Sequence, residues 1–167
     1  MATQTQPSAR EVALASIEGV HRRDLDQIVA AGHPDHYVDD FVAIGEFHGK
    51  DGVRAFFAEL FEAMPDFELT VEHVVADERA AAVKWHASGT FTGAPFQGIR
   101  ATGRSVQLRG VDFFEIEDGH IRRNTVFYDG ATFARQIGML PPQGSFADRV
   151  VLRLFNLKTR ITRPFRR

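Results

Sequence analysis

The chain is predicted to fold as one α+β domain in which helices precede an antiparallel sheet. Apolar residues recur at the helical spacing up to Met64, and from Phe67 onward they alternate with polar residues instead. The dipeptide Asp118-Gly119 lies between two alternating segments, which is a strong signal for a two-residue hairpin turn. Helices followed by a run of strands are typical of a sheet that carries its helices on one face.

Three helices are predicted before the alternating segments begin. Ser8 and Glu11 form the capping-box pattern that opens the first helix. Asp24 can cap a short second helix, which Gly32 and Pro34 end. The third and clearest helix has large apolar residues recurring at the spacing of one face: Val53, Phe56, Phe57, Leu60, Phe61 and Met64.

Five strands and a final helix complete the predicted domain. A short strand over residues 37–43 precedes the third helix, and a helix over residues 131–137 follows the last strand. Between these two helices, period-two alternation predicts four strands: 67–75, 83–91, 106–116 and 120–128. A loop of residues 93–104 separates the second of these strands from the third. We expect these four strands to form an antiparallel meander with one apolar face.

Composition and charge argue against several classes of function. The 167 residues include no cysteine, which excludes disulfides, thiolate metal sites and a cysteine nucleophile. No apolar run is long enough to span a bilayer, and the first residues lack a signal-peptide core, so we expect a cytoplasmic protein. Residues 1–144 carry a net charge of −8, which argues against nucleic acid as a partner. No phosphate-binding loop, serine elbow or HExxH motif is present.

The chain divides into three parts: a disordered N-terminus (1–8), the α+β domain (9–143) and a basic amphipathic extension (144–167). Residues 145–167 carry seven Lys and Arg and a single Asp. If this segment is helical, its apolar residues form a stripe along one side: Phe146, Val150, Leu154 and Leu157. Arg149, Arg153 and Arg160 form a basic row along one edge of that stripe. We expect this extension to pack on its own domain or on a partner subunit, with a membrane surface as the less favoured alternative.

One polar residue interrupts the apolar face of the predicted sheet. Asp112 lies between Gly110 and Phe114, where the alternation calls for an apolar side chain. A buried carboxylate is costly unless it is paired or protonated. One interpretation is a pocket acid whose pKa is raised by apolar walls. The other is a strand register that differs by one residue, or a carboxylate that accepts a hydrogen bond from a nearby backbone amide.

Two further residues are predicted on the same face as Asp112. His73 is interpreted either as a core histidine or as a secondary polar group of the pocket. Trp85 is interpreted as a pocket wall or core residue.

Three histidines near the first strand are a weak candidate for a metal site: His33, His36 and His48. Pro34 breaks their regular spacing, and no carboxylate motif completes the set. We expect neither a metal nor any other cofactor.

Asp129 ends the last strand, directly before Gly130 and the final helix of the domain. This is the position of a helix N-cap, where aspartate is among the favoured residues. From spacing alone, capping is the preferred interpretation over catalysis.

Several segments together resemble the SnoaL-like polyketide cyclases of the nuclear-transport-factor-2-like superfamily. The resemblance runs from about Leu14 to Pro142, and its closing segments are the most characteristic. In order the segments are YVDDF (37–41), AMPDF (63–67), KW (84–85), GTFTG (89–93), ATGR (101–104), GVDFF (110–114), EDG (117–119), YD (128–129) and ARQIGMLP (134–141).

The resemblance implies a particular fold and assembly. The expected fold is a curled antiparallel sheet wrapped by the N-terminal helices, which form a cone-shaped pocket (nuclear-transport-factor-2-like, or cystatin-like). The resemblance also implies a homodimer that pairs through the outer faces of its sheets.

The resemblance further implies a cofactor-free enzyme that closes a polyketide ring by intramolecular aldol condensation. Asp129 would act as its general acid/base, with Asp112 and His73 as secondary polar groups. The substrate would be a hydrophobic compound with several carbonyls, bound by aromatic residues: Tyr37, Phe41, Phe57, Phe61, Trp85, Phe91, Phe96, Phe114 and Phe127.

The sequence departs from the family pattern at two places. Phe91 replaces a frequent histidine, and Asn124-Thr125 replaces a frequent His-Trp pair. Two alternatives therefore stay open. One is an isomerase or epoxide-opening enzyme that uses the same carboxylate, and the other is a protein that binds a hydrophobic ligand without turnover.

Overall fold

The computed structural model describes residues 6–35 and 37–162. Residues 1–5 of the predicted disordered N-terminus, His36 of the histidine group and residues 163–167 of the extension lie outside the described residues. The described part forms the helices α1 (Ala9–Arg22), α2 (Leu25–Ala30), α3 (Gly49–Ala63), α4 (Gly130–Gln136) and α5 (Phe146–Thr162). It also forms the strands β1 (Val38–Phe41), β2 (Gly45–His48), β3 (Glu68–Ala76), β4 (Ala80–Thr90), β5 (Ser105–Glu117) and β6 (His120–Tyr128).

The strands form one curled, open sheet in the order β2-β1-β6-β5-β4-β3. Strands β3 to β6 pair as the predicted antiparallel meander. The sheet is not antiparallel throughout, because β1 pairs parallel with β6. The sequence analysis also missed β2, a four-residue strand that pairs antiparallel with β1 at the sheet edge. The predicted α+β class is confirmed.

The local signals in the sequence act where they were predicted. Ser8 caps α1 in a full capping box, since its amide donates to Glu11 Oε2 at 2.8 Å while its hydroxyl accepts from the Glu11 amide at 3.3 Å. Asp24 caps α2 by accepting from two backbone amides. Asp118 and Gly119 both have positive φ, 49° and 71°, as a type I′ hairpin turn requires.

The core lies between the inner face of the sheet and helices α1, α2 and α3. The predicted apolar stripe of α3 is buried along its whole length. It faces inward-pointing sheet residues of β3 to β6 that are also buried: Leu69, Val83, Trp85, Val106, Phe114 and Val126. Burial of this one sheet face supplies the main driving force for folding.

A β-bulge in β3 changes which residues face the core. Val71 lies opposite Trp85, but His73 lies opposite Lys84 because the register shifts between Val71 and His73. One extra residue reverses the inward and outward alternation beyond it. His73 therefore points to the outer face and is exposed, and the prediction that it shares a face with Asp112 is wrong.

Helix α5 extends from the domain without packing on it. Every described side chain from Val151 to Ile161 is exposed, and among the described residues no helix or strand makes more than marginal contact with α5. The structure thus does not place the extension on its own domain, which was one of the predicted locations. In the same described ranges, no helix has the length and hydropathy needed to cross a membrane.

Two isoleucines test this division between core and extension. Ile121 is 0% exposed in β6, whereas Ile161 is 61% exposed on α5. We expect Ile121→Ala to lower the free energy of unfolding by about 2–5 kcal/mol, and Ile161→Ala to change it by less than about 0.5 kcal/mol. Urea denaturation of both variants measures this. Equal losses in the two variants would show that α5 packs on the domain in solution.

Candidate functional site

An apolar cavity lies between the inner sheet face and helices α1 and α3. It has a volume of about 90 Å³, which is room for roughly three water molecules at roughly 30 Å³ each. Most of its wall is aliphatic or aromatic, and the groups that bring polar atoms to the wall are few: Trp85, Ser88, Asp112 and Tyr128. A ligand larger than a single small ring therefore requires the walls to move apart.

The predicted aromatic binding residues fall into three groups. Four of them line the cavity: Phe41, Phe57, Trp85 and Phe96. Four others are buried but do not line it: Tyr37, Phe61, Phe91 and Phe114. Phe127 is 51% exposed and pairs with Val111 on the outer face, so its prediction as a pocket wall is wrong. Its neighbours in β6 point inward, and strand alternation directs Phe127 outward.

The loop of residues 93–104 covers one side of the cavity. The Phe96 ring packs edge-on against Phe56, with 5.8 Å between the ring centroids. Gln97 fastens the loop to α3, because its backbone amide and its side-chain amide each donate to the Glu59 carboxylate at 2.6 Å. Opening this side therefore requires the Glu59–Gln97 contact to break or to move with the loop.

Asp112 lies in the cavity wall and is almost fully buried, with 7% exposure. Trp85 Nε1 donates to its Oδ1 at 2.7 Å, and Asn124 Nδ2 donates to its Oδ2 at 3.2 Å. Burial raises the pKa of Asp112 to about 6, and the two hydrogen bonds limit the rise. The predicted inward position is confirmed, and the alternative of a shifted register at Asp112 is wrong.

Gly110 provides the space that the Trp85 indole occupies beside Asp112. A Cβ atom on Gly110 would lie 2.3 Å from Trp85 Cζ2 and 2.6 Å from the carbonyl oxygen of Phe127. Any larger residue would push the indole away from the carboxylate. The glycine two residues before Asp112 thus permits the hydrogen bond that holds it.

A second buried carboxyl group, Asp39, lies next to Asp112 and was missed in the sequence analysis. It is 2% exposed on β1 and pairs in register with Asn124 of β6. Burial, followed by repulsion from Asp112, raises the pKa of Asp39 to about 8, while hydrogen bonding by Tyr37 and Asn124 opposes the rise. The signal was present in the sequence, since Tyr37, Asp39 and Phe41 alternate on one strand face.

The two carboxyl groups cannot both be ionised at low cost, because each lies in a nonpolar environment near the other's charge. They titrate as a coupled pair, in which ionisation of one opposes ionisation of the other. Within the described residues, Asp39 Oδ1 and Asn124 Oδ1 are buried without a hydrogen-bond partner. At neutral pH a proton retained on Asp39 relieves the repulsion.

Known proteins share the sequence pattern and the fold of this chain. A profile of the SnoaL-like polyketide cyclase family matches residues 10–137. The chain belongs to this family. TsrD from Streptomyces laurentii superposes on it with a TM-score of 0.69 at 24% identity, covering 83% of this chain and 100% of TsrD. AclR from Streptomyces galilaeus gives a TM-score of 0.68 at 21% identity, covering 95% of this chain and 97% of AclR.

A third solved structure, TerC co-crystallized with polyporic acid, has a TM-score of 0.62 at 20% identity and covers 77% of this chain and 97% of TerC. At these identities the solved structures support the shared fold and not a shared reaction. Curated protein sequences gave no match. The predicted SnoaL-like resemblance is confirmed.

In this SnoaL-like chain Asp129 is the N-cap of α4. Its carboxylate accepts from the amides of Ala131 and Thr132 at 2.9 and 3.1 Å and from the Thr132 hydroxyl at 2.6 Å. The Thr132 hydroxyl and these amides hold the pKa of Asp129 below its usual value. Asp129 is exposed and does not line the cavity itself. It borders a groove with His86 and Arg109, and this groove shares Ala87, Ser88 and Leu108 with the cavity wall. Its acid/base role stays a prediction of the family resemblance.

No metal centre was found in the part of the chain that the structure describes. Within residues 6–35 and 37–162, no three histidines or carboxylates are placed to hold a metal ion. His36 of the candidate histidine group lies outside these ranges.

The pH dependence of stability tests the coupled carboxyl pair. In the unfolded chain the pKa of both aspartates is 3.8, and folding raises it to about 6 for Asp112 and about 8 for Asp39. Between pH 3.8 and about pH 8 the folded state therefore binds more protons than the unfolded state. The free energy of unfolding falls as the pH rises through this range. We expect Asp39→Asn to remove the decline between about pH 6 and pH 8.

Chemical denaturation between pH 6 and pH 8 measures the free energy of unfolding of Asp39→Asn, with Asp40→Asn as the control. Asp40 precedes Phe41 on the same strand but forms an outer-face ion pair with Arg123 at 2.7 Å. Asp40→Asn should leave the slope above pH 6 as in the unmodified chain. If Asp39→Asn also leaves the slope of unfolding free energy against pH unchanged, the proton uptake assigned to Asp39 and Asp112 is contradicted.

Proposed function

We propose that this protein catalyses a general acid–base reaction on a small hydrophobic carbonyl compound, with Asp112 as the group that transfers the proton. One observation carries the proposal. Among the described residues, Asp112 is the carboxyl group in the wall of an otherwise apolar cavity, held by Trp85 and Asn124. A buried titratable group with a perturbed pKa in a cavity is a marker of catalytic function.

The chemistry suits a carboxyl group with a near-neutral pKa. A C–H bond between two carbonyls is acidic enough for a carboxylate to remove its proton. The same group, once protonated, can return the proton to the alkoxide formed by ring closure. A pKa near neutrality allows both steps at neutral pH. Each Asp112 oxygen accepts one hydrogen bond and keeps a lone pair for the substrate.

Tyr128 supplies a hydrogen-bond donor for the substrate carbonyl. It lines the cavity and lies opposite Gly110, two residues from Asp112. Burial raises the pKa of Tyr128 to about 12, so its hydroxyl stays protonated at neutral pH. A donor directed at an oxygen that gains negative charge stabilises the transition state. Asp39, which does not line the cavity, acts as a positioning residue through its charge coupling to Asp112.

Family membership favours intramolecular aldol condensation among the reactions that this site supports. In that reaction one molecule carries both the acidic carbon and the carbonyl, and the cavity brings them together. Of the two departures from the family pattern, Phe91 is buried away from the cavity wall, so its replacement of histidine removes no group from this cavity. Asn124 at the other departure donates to Asp112 and adds to the site.

Ligand binding without turnover is the second candidate function. The observation that favours it is the apolar wall, which binds hydrophobic molecules whether or not proton transfer follows. The same cavity would then serve a carrier, and Asp112 would accept a hydrogen bond from the ligand. Isomerisation and epoxide opening remain variants of the first candidate, since both use the same carboxyl group.

Proton exchange separates these functions without knowledge of the product. Trp85 is the chain's single tryptophan and lines the cavity, so quenching of its fluorescence identifies ligands in a panel of aromatic 1,3-dicarbonyl compounds. Proton NMR in D₂O then follows exchange of the acidic C–H of each ligand. We expect Asp112→Asn to slow the catalysed exchange by at least about a hundredfold, with ligand affinity changed by less than about threefold because Asn keeps the side-chain shape.

Asp129→Asn is the matched control, because asparagine also caps helices well. We expect it to retain exchange at the unmodified rate. Loss of exchange in Asp129→Asn alone would move the acid/base role to Asp129, the residue that the family resemblance implied. Binding with no exchange in the unmodified protein would establish the carrier function instead.

We also propose that two copies pair through the outer sheet face. Apolar side chains are exposed there on strands β3, β5 and β6: Val75, Phe113 and Phe127, at 56%, 41% and 51%. Exposed apolar patches of this kind mark interaction surfaces.

Light scattering after size exclusion tests this pairing. We expect a dimer at micromolar concentration and a monomer for Phe127→Glu, because a charge would be buried without a partner. Phe155→Glu on α5 is the control, since Phe155 is 64% exposed on an element far from this face in sequence. A dimer that survives Phe127→Glu but not Phe155→Glu would assign the contact to α5.

A further inference from the structure

Helix α5 presents an apolar surface that nothing in the described chain covers. One stripe contains side chains spaced three and four residues apart: Phe146, Val150, Leu154, Leu157 and Ile161. Of these, Phe146, Leu154 and Ile161 are 74%, 61% and 61% exposed. Three more apolar residues are exposed outside the stripe: Val151, Leu152 and Phe155. A free helix in water does not retain so much exposed apolar surface without a partner.

The polar side of α5 is narrow and basic. Arg149, Arg153, Asn156 and Arg160 follow one another at helical spacing, so they form a single row along one edge of the stripe. We call this the arginine row. Asp148 in the first turn is the only acidic residue in residues 145–167. The helix thus combines a wide apolar surface with a concentrated positive charge.

We infer that α5 lies flat on a membrane surface that contains anionic lipids. In this position the apolar side chains enter the boundary between head groups and acyl chains, and the arginine row remains at the level of the phosphates. Basic amphipathic helices bind such surfaces by apolar burial together with attraction to anionic head groups. The inference does not depend on the catalysis proposed for the cavity.

Charge disfavours the pairing of two α5 helices, and the exposure of α5 argues against its folding back on its own domain. If two copies of α5 packed stripe to stripe, their arginine rows would lie side by side with no acidic residue beyond Asp148 to neutralise them. If α5 folded back on its own domain, its side chains from Val151 to Ile161 would not all be exposed. An anionic lipid surface supplies negative charge at every point along the row and requires no specific partner residue.

Co-sedimentation of the full chain with vesicles tests the inference. We expect binding to vesicles of phosphatidylcholine mixed with phosphatidylglycerol and no binding to phosphatidylcholine alone. Added salt should weaken the binding, because it screens the attraction between the arginine row and the lipid. Failure to bind the mixed vesicles at low salt would overturn the inference.

Two double variants separate the arginine row from general positive charge. Arg149→Gln with Arg153→Gln should weaken binding about thirtyfold, at about 1 kcal/mol for each charge near the surface. Arg79→Gln with Arg100→Gln removes two exposed charges from the domain and should leave binding unchanged. Equal weakening in both double variants would show general charge attraction and contradict a role for α5.

A third variant tests the apolar stripe. Leu154→Gln with Leu157→Gln should also abolish vesicle binding while leaving the mass from light scattering unchanged. If this variant instead converts a dimer to a monomer, and the unmodified chain does not bind vesicles, the occupant of α5 is a second copy. Circular dichroism of each variant at the same concentration confirms that the domain stays folded.

Discussion

Burial of one face of an open, curled sheet is the constraint on which the rest of the structure depends. Six strands present that face, and helices α1 to α3 provide most of its cover. The helices do not fill the space over this curled sheet completely, and a cavity remains between α1, α3 and the middle strands. The cavity is thus a consequence of how the sheet is buried. Residues that line it, such as Phe57 and Trp85, belong to the core and to the site at once.

The same burial gives the site its chemical character at a cost in stability. Asp112 and Asp39 lie at positions where apolar side chains would make the fold more stable. Neither carboxyl group pairs with a cation, and burial raises the pKa of both. Trp85 and Asn124 limit that cost by donating to Asp112. Groups that destabilise a fold in this way, without a compensating ion pair, are typical of functional sites.

The sequence predicted what local periodicity controls and missed what depends on distant pairing. The α3 stripe, the meander, the Asp118-Gly119 turn and the inward Asp112 follow from spacing within single elements. His73 was misplaced because a bulge adds one residue, and no alternation pattern shows where a strand will bulge. The parallel pairing of β1 with β6 joins residues more than 80 positions apart, so Asp39 could not be placed beside Asp112 from the sequence. Phe127 was misplaced for the same reason as His73: the Asp118-Gly119 turn alone would pair it with Gly110 on the inner face, but a register shift between Glu115 and Ile116 turns it outward.

The two aspartates that the sequence singled out show how the environment decides chemical capacity. Asp129 accepts three hydrogen bonds at an exposed helix N-terminus, where the amides and the helix dipole favour its ionised form. Its carboxylate is a weak base at neutral pH and has no proton to donate. Asp112 accepts two hydrogen bonds in an apolar wall, where protonated and ionised forms lie closer in free energy. A reaction that takes a proton and then returns it requires a group of the second kind, and this favours the buried carboxyl over the cap.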